Sequence, residues 1–249
     1  MGFSTLRIKL PQTMRQAPSE SIGASSSDEN EQKVNCKRCE DTGVYFKNGS
    51  TFLCPCQRTR NSVVRRKYSG LPDYEPHELL EVSRDYIARF SEIRNSQANW
   101  LVYMGRSGSG KTTQAFMVVD ALLSRREPVY AKVHYYPELV RELAALRFDA
   151  TAYETRLEDV MAPEIVLFDD FMDVIPKPES FEESVAISLI KKRYQSRKPL
   201  IITTEITPSL FPKVMPRHCE AILGRIYEKA KDHMDVAAAN ATNYRFPSK

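Results

Sequence analysis

The sequence lacks an apolar run that approaches the roughly 20 residues of a membrane-spanning helix, and no apolar signal core lies near its start. We therefore expect a cytoplasmic protein with no membrane partner. Internal repeats and heptad runs are also absent, which excludes solenoid and coiled-coil architectures. Hydrophobic residues form 42% of the 249-residue chain, which is enough to build a core.

Large apolar residues are scarce between residues 11 and 32, where serine, glutamine and glutamate dominate. Such a composition cannot bury enough surface to offset the entropy of ordering. Residues 1–32 are therefore predicted to be a disordered tail.

Four of the five cysteines fall within one short segment, as Cys36-x-x-Cys39 and Cys54-x-Cys56. In a reducing compartment, clustered thiols indicate a metal rather than disulfides. Asn48-Gly49 lies midway between the pairs and predicts a hairpin turn. We predict a four-cysteine zinc-binding module over residues 33–62 that needs Zn²⁺ to fold. Two unrelated reduced pairs and a redox dithiol remain as alternatives.

Positive charge is concentrated in residues 33–69, where nine Lys and Arg residues face only Glu40 and Asp41, a balance of +7. A local excess of this kind indicates an acidic partner, with nucleic acid the first candidate. A solvated linker explains the same charge, and residues 63–78, basic and then punctuated by proline, are predicted to be one.

Residues 79–249 form the fourth region, which we predict to be one α/β domain, and strand and helix patterns alternate within it from Trp100 onward. Alternation predicts a parallel sheet covered by helices. The expected strands are 100–104, 128–134, 164–169 and 199–204. The expected helices are 78–90, 111–124, 137–147, 179–197 and 219–233.

A glycine-rich motif lies between the first of these strands and a helix, with the sequence Gly105-Arg106-Ser107-Gly108-Ser109-Gly110-Lys111-Thr112-Thr113. Strand, Gly-x4-Gly-Lys-Thr loop and helix together define a P-loop. Glycines let the backbone approach phosphate oxygens, and the loop amides with the helix N-terminus attract them. Lys111 is expected to reach the β- and γ-phosphates of ATP, and the Thr112 hydroxyl to ligate Mg²⁺.

Two carboxylates, Asp169 and Asp170, end the strand Ile165-Val-Leu-Phe. In parallel sheets this edge binds ligands, so Asp169 is assigned to Mg²⁺ and Asp170 to orienting or deprotonating water. Another apolar strand ends in Thr204 and Glu205, either of which is a candidate for the γ-phosphate or the attacking water. Arg225 and Arg245 are candidates for stabilising transition-state charge.

The ordered set of motifs resembles the bacterial and phage helicase loaders of the DnaC/DnaI type in the AAA+ superfamily. The likeness runs from about Lys33 to Arg245 and includes CKRCEDTGVYF, GRSGSGKTT, IVLFDDF and EAILGRIYE. It implies an AAA+ P-loop domain behind the zinc module, with Glu205 at sensor 1, Arg225 as an arginine finger acting on a neighbouring subunit, and Arg245 at sensor 2. Sensor 1 is more often Asn, and Lys229 stands where some loaders have a second arginine.

The resemblance implies an ATPase that loads a DnaB-type replicative helicase onto single-stranded DNA, with self-associating AAA+ domains and slow ATP hydrolysis. ATP, Mg²⁺ and Zn²⁺ are the implied cofactors. An IstB-like transposition ATPase is an alternative, against which the cysteine unit argues. A small-molecule P-loop kinase is another, and the Arg-rich lid typical of such kinases is missing between the strands.

Overall fold

The computed structural model describes residues 64–125, 129–172, 180–237 and Tyr244, together with the backbone of β1 (Val44–Lys47) and β2 (Ser50–Leu53). These two strands pair antiparallel, with Lys47 opposite Ser50, as the predicted hairpin requires. The predicted zinc ligands lie outside the described residues, so the zinc module stays a prediction. Of the described helices, none combines the length and the apolar character that crossing a bilayer requires.

A five-stranded, all-parallel sheet forms the centre of the domain. Its strands are β3 (Trp100–Met104), β4 (Ala131–Tyr135), β5 (Ile165–Asp169), β6 (Leu200–Thr204) and β7 (Met234–Val236). Their order across the sheet is β4-β5-β6-β3-β7. Strand β6 therefore lies between the strand before the glycine loop and the strand before the aspartate pair. All three carboxyl ends meet at one edge.

Helices cover both faces of this sheet. They are α1 (Glu81–Ile93), α2 (Lys111–Leu123), α3 (Tyr136–Ala145), α4 (Ala150–Met161), α5 (Phe181–Ser196), α6 (Phe211–Val214) and α7 (Cys219–Ala230). Residues 64–69 are also helical. Because successive strand residues point to opposite faces, Leu101 and Tyr103 pack with α1 and α2, whereas Val102 and Met104 join the core on the other face.

The four predicted strands and five predicted helices are present within a few residues of their expected bounds, but α4, α6 and β7 were missed. The buried residues of α4, Leu157, Val160 and Met161, occupy only its second half, which hides the helical period. Its start has a recognisable cap, since Asp149 accepts a hydrogen bond from the Ala152 amide at 3.0 Å. Strand β7 has three residues and owes its form to pairing with β3.

Residues 71–80 form no helix or strand but run along one side of α2. The Tyr74 hydroxyl donates to Asp120 at 2.9 Å, the His77 amide to the Met117 sulfur at 3.4 Å, and the Leu80 amide to Gln114 at 3.0 Å. The three acceptors are spaced three residues apart on the helix, so they share one side of it. This part of the predicted linker is thus held beside the glycine loop.

Candidate functional site

The glycine-rich loop connects β3 to α2 and turns through two left-handed glycines. Gly108 has φ 79° and Gly110, which is the N-cap of α2, has φ 86°. Glycine adopts such angles without the steric cost of a Cβ. A glycine cap has no side chain to accept from the first amides of the helix. Those amides and the helix dipole are therefore directed toward an anion.

Gly105 is small for a reason that the sequence did not indicate. A Cβ at this position would lie 2.7 Å from the Cβ of Ala237, just after β7. The Ala237 amide donates to Met104 at 2.8 Å, and the Gly105 amide donates to Thr204 at 3.1 Å. Gly105 thus lets the chain after β7 pass closely over the edge of the sheet.

Lys111 is buried at the start of α2, and its ammonium group stays near the loop. The Nζ donates to the Arg106 carbonyl at 2.9 Å, and the Ser109 hydroxyl donates to the same oxygen at 2.9 Å. A buried ammonium needs such partners, and a phosphate oxygen is a stronger acceptor than a neutral carbonyl. The loop therefore holds a positive charge in place that can move to an anionic ligand.

Asp169 lies behind this lysine with only 7% of its surface exposed. Thr203 donates to its Oδ1 at 2.7 Å, and Thr112 also hydrogen-bonds the carboxyl. Burial raises the pKa of Asp169, opposed by these hydrogen bonds and by the charge of Lys111. Thr112 and Asp169, the two predicted Mg²⁺ ligands, are thus adjacent. Their hydroxyl and carboxylate oxygens are the hard donors that this cation prefers.

Asp170 is directed differently from its neighbour because the chain turns sharply after β5. Its φ is 54°, a left-handed angle that costs a residue with a Cβ about 1 kcal/mol. Its amide donates to the Thr203 hydroxyl at 2.9 Å. Thr203 therefore contacts both aspartates, a role that sequence reasoning missed. The signal was its position at the carboxyl end of the strand beside β5.

Of the two candidates at the end of β6, Thr204 and Glu205, the structure favours Glu205 as a cavity residue. Thr204 is 1% exposed; its hydroxyl donates to the Phe171 carbonyl at 2.7 Å and accepts the Ile206 amide at 3.1 Å. Its hydrogen bonds thus shape the turn. Glu205 lines the same cavity as Lys111 and Asp170.

These groups surround a cavity of about 300 Å³ at the carboxyl edge of the sheet. The loop and α2 form one wall, the acidic residues another, and aromatic residues from distant parts of the chain a third. The lining residues are Tyr74, Glu75, His77, Ser107, Gly108, Gly110, Lys111, Thr112, Thr113, Asp170, Glu205 and Tyr244. The sequence did not predict the aromatic wall, since no local pattern links residues 74–77 to residue 244.

Arg225, one of the two predicted arginines, is not part of this lining. Arg225 lies on α7, where its Nη1 donates to Ala221 at 2.5 Å and its guanidinium is 5.5 Å from the centre of the Tyr194 ring. The Lys229 ammonium lies 5.1 Å from the same ring. Arg245 lies outside the described residues. Within a single chain, then, the described part of the cavity is built without Arg225.

The parallel sheet, its strand order and the loop at its carboxyl edge define an α/β fold with a P-loop, and solved structures share this fold. DnaI matches with a TM-score of 0.50 and 17% identity, covering 77% of this chain and 94% of DnaI. AMPPCP-bound DnaA from Aquifex aeolicus matches with a TM-score of 0.50 and 14% identity, covering 69% of this chain and 51% of DnaA.

Sequence comparison identifies a distant homologue, the phage-like element PBSX protein XkdC of Bacillus subtilis (strain 168). The two chains are 24% identical over 240 residues, which is 86% of each. No protein-family model matches the chain.

Proposed function

We propose that this chain is an ATPase that loads a DnaB-type replicative helicase onto single-stranded DNA and hydrolyses ATP slowly to ADP and phosphate. The observation that carries the proposal is that the glycine loop, Asp170 and Glu205 line one cavity, and that Asp169 is hydrogen-bonded to Thr112 of its lining. Each group lies at the carboxyl end of a different strand of one parallel sheet. That arrangement is what phosphoryl transfer requires.

For ATP binding, the loop amides and Lys111 are assigned to the phosphates. The DnaA structure of the same fold holds AMPPCP, an ATP analogue, which supports a nucleotide in this position. Thr112 and Asp169 would hold Mg²⁺, which neutralises developing phosphate charge when it is bound. The hydrogen bond between Thr112 and Asp169 supports this assignment, because it keeps their oxygen atoms close enough to bind the same cation.

For hydrolysis, Asp170 is assigned to the attacking water and Glu205 to sensing the γ-phosphate. Both line the cavity, whereas Asp169 lies behind it, so the neighbouring aspartates have separate tasks. Arg245 is assigned to sensor 2. Tyr244, its neighbour in the chain, donates its amide to the Gly108 carbonyl at 2.9 Å, which supports a place near the loop.

Arg225 is assigned to the cavity of a neighbouring subunit. Its position over Tyr194, away from the cavity of its own chain, supports a contact in trans. An experiment that mixes two inactive variants tests this assignment. Arg225→Ala and Lys111→Ala proteins, each inactive alone, should regain some ATPase activity together because one type of interface unites an intact loop with an intact finger. No rescue in a confirmed oligomer would contradict the assignment.

The loading role is supported by the ordered motif resemblance to the DnaC/DnaI-type loaders. We assign helicase binding to the region before residue 64 and ATP-dependent binding of single-stranded DNA to the remainder. A truncation beginning at residue 64 is the appropriate test, since Arg65 and Arg66 contact α2 and the residues after it. It should lose the helicase in a pull-down but retain ATP-dependent DNA binding. The reverse result would exchange the two assignments.

The alternatives differ in what stimulates turnover. A kinase would transfer phosphate to a small acceptor, and its rate would not depend on DNA. A transposition ATPase would bind no helicase. ATPase activity that responds to single-stranded DNA and to the helicase supports the loader. Activity that responds to neither rejects it.

A further inference from the structure

Tyr194 on α5 contacts two charged residues of α7 with two different parts of its side chain. Its hydroxyl donates to the Glu228 carboxylate, with oxygen–oxygen distances of 2.8 and 2.9 Å. The Arg225 guanidinium lies 5.5 Å from the centre of its ring. The hydrogen bond to Glu228 raises the pKa of Tyr194, so the hydroxyl stays protonated at neutral pH and remains a donor. One tyrosine thus contacts both a cation and an anion of the same helix.

Within the residues that the structure describes, Arg225 and Glu228 form no ion pair with each other, although side chains three residues apart on a helix are neighbours. Arg89 and Glu92 of α1 have the same spacing and the same order, and their charged groups lie 3.7 Å apart. Arg225 instead donates from Nη1 to the Ala221 carbonyl. The two pairs differ in the phenolic hydroxyl from α5, which occupies the carboxylate on α7.

We propose that Tyr194 is a positioning residue that keeps Arg225 out of an ion pair with Glu228 and so leaves the guanidinium for a neighbouring subunit. This rests on the proposed function, in which Arg225 acts in trans. The tyrosine hydroxyl holds the carboxylate, and the ring holds the guanidinium by a cation–π contact. Such a contact at the surface is weaker than charge-assisted hydrogen bonds to a phosphate. The arginine therefore leaves the ring when a neighbouring subunit presents a phosphate.

Removing the hydroxyl changes the partner of Arg225. In Tyr194→Phe, Glu228 loses its donor and pairs with Arg225, as Glu92 pairs with Arg89. That ion pair must then break before the guanidinium reaches a phosphate. Because exposed ion pairs are weak, the loss corresponds to a rate about two- to fivefold lower. The ring remains, so its packing against the hydrophobic core should persist.

The test measures phosphate release over a range of ATP concentrations, with Mg²⁺, single-stranded DNA and the helicase present. Tyr194→Phe should lower kcat about two- to fivefold. Its KM for ATP should stay within about twofold of the wild type, because the described lining of the cavity does not include Tyr194. Adding Glu228→Gln to Tyr194→Phe should restore the wild-type kcat, since a neutral amide forms no ion pair. Tyr130→Phe, at an exposed tyrosine just before β4, is the matched control.

The double variant separates positioning from packing, because both variants carry the same phenylalanine and differ only at residue 228. Unchanged turnover in Tyr194→Phe overturns the proposal. A loss of turnover that Glu228→Gln does not restore also overturns it, since the tyrosine would then act through packing.

Arg225→Ala, measured beside these variants, distinguishes the positioning role from the proposed function. Wild-type turnover in Arg225→Ala refutes the assignment of this arginine as a finger, and the positioning role with it. A loss of turnover in Arg225→Ala together with normal turnover in Tyr194→Phe refutes only the positioning role.

Discussion

The two edges of the central sheet bury charge in different ways. At the carboxyl edge, Lys111 and Asp169 are each 7% exposed and lie beside a cavity. At the amino edge, Arg193 of α5 is fully buried. Its guanidinium donates to the carbonyls of Met161, Pro163, Glu164 and Pro199, which precede β5 and β6. One buried cation thus adjoins a cavity, and the other joins the starts of two strands.

The two edges differ in the hydrogen-bond partners of their buried charges. The hydrogen-bond acceptors of Arg193 are main-chain carbonyls, which cannot move without disturbing the sheet. Burial lowers the pKa of Arg193 to about 9, so it remains charged at neutral pH. Lys111 and Asp169 instead have a loop carbonyl and hydroxyl groups as partners, which a phosphate or a cation can replace. A buried charge therefore indicates a ligand site only where its partners are exchangeable.

Removing the cation at the carboxyl edge should have the largest functional effect. Lys111→Ala should weaken ATP binding at least about 100-fold, since each lost charge-assisted hydrogen bond to phosphate contributes roughly 1.5–3 kcal/mol. Its thermal stability should change little. Calorimetric titration with ATP measures the loss, and Lys132→Ala on β4 is the control. Retention of ATP binding by Lys111→Ala would remove the distinction between the edges.

Asp170→Asn should separate binding from turnover at the same edge. Loss of a general base typically lowers the rate about 10²–10⁴-fold, and Asp169 remains to hold the metal. Asparagine tolerates the left-handed angle at this position, so the turn should persist. Phosphate release should fall by that factor while ATP affinity stays within about threefold. Asp159→Asn, at an exposed site on α4, should behave as the wild type. Normal turnover in Asp170→Asn would transfer the base role elsewhere, with Glu205 the next candidate.

Arg193→Met should have the opposite effect: it should lower the stability of the fold and leave ATP binding unchanged. The change leaves four buried carbonyls without their donor. Because each unsatisfied buried group costs about 1–3 kcal/mol, the total loss should be about 3 kcal/mol or more. Urea denaturation should show this loss, while the folded fraction binds ATP normally. Lys191→Met, at an exposed site on the same helix, controls for the new side chain. A variant as stable as the wild type that no longer binds ATP would show that the amino edge is functional.

His134 is a buried titratable side chain that takes part in neither of these two charge clusters. Burial first, and then the charges of Arg156 and Lys132, lower its pKa from 6.5 to about 4, opposed by Glu142. The unfolded chain therefore binds more protons between these values, and stability should fall as the pH drops from 6.5 to about 4 and not further on this account. The contribution is at most about 3 kcal/mol.

The measurement is the free energy of unfolding in urea at several pH values. His134→Leu should flatten the profile over that window relative to the wild type, whereas His218→Leu, at an exposed site, should not. Parallel profiles for the wild type and His134→Leu would show that His134 is not held neutral in the folded chain.

The phosphate wall of the site could be predicted from the sequence because it is local. The loop from Gly105 to Thr113 and the pair Asp169–Asp170 are contiguous segments whose chemistry is fixed by spacing. The β-strands before them are apolar on both faces, which indicates a parallel sheet. Thr203 and Arg193 could not be predicted, because their roles depend on which strands are neighbours. His77 and Tyr244 depend on contacts between opposite ends of the domain.

Phosphate release from ATP by the wild-type chain tests the central claim most directly. With Mg²⁺, single-stranded DNA and the helicase present, the account predicts slow turnover that requires Mg²⁺. That turnover should be abolished by Lys111→Ala and should persist in the folded fraction of Arg193→Met. Hydrolysis that survives Lys111→Ala, or a wild type that binds ATP and never hydrolyses it under these conditions, would contradict the assignment of the carboxyl edge as the catalytic one.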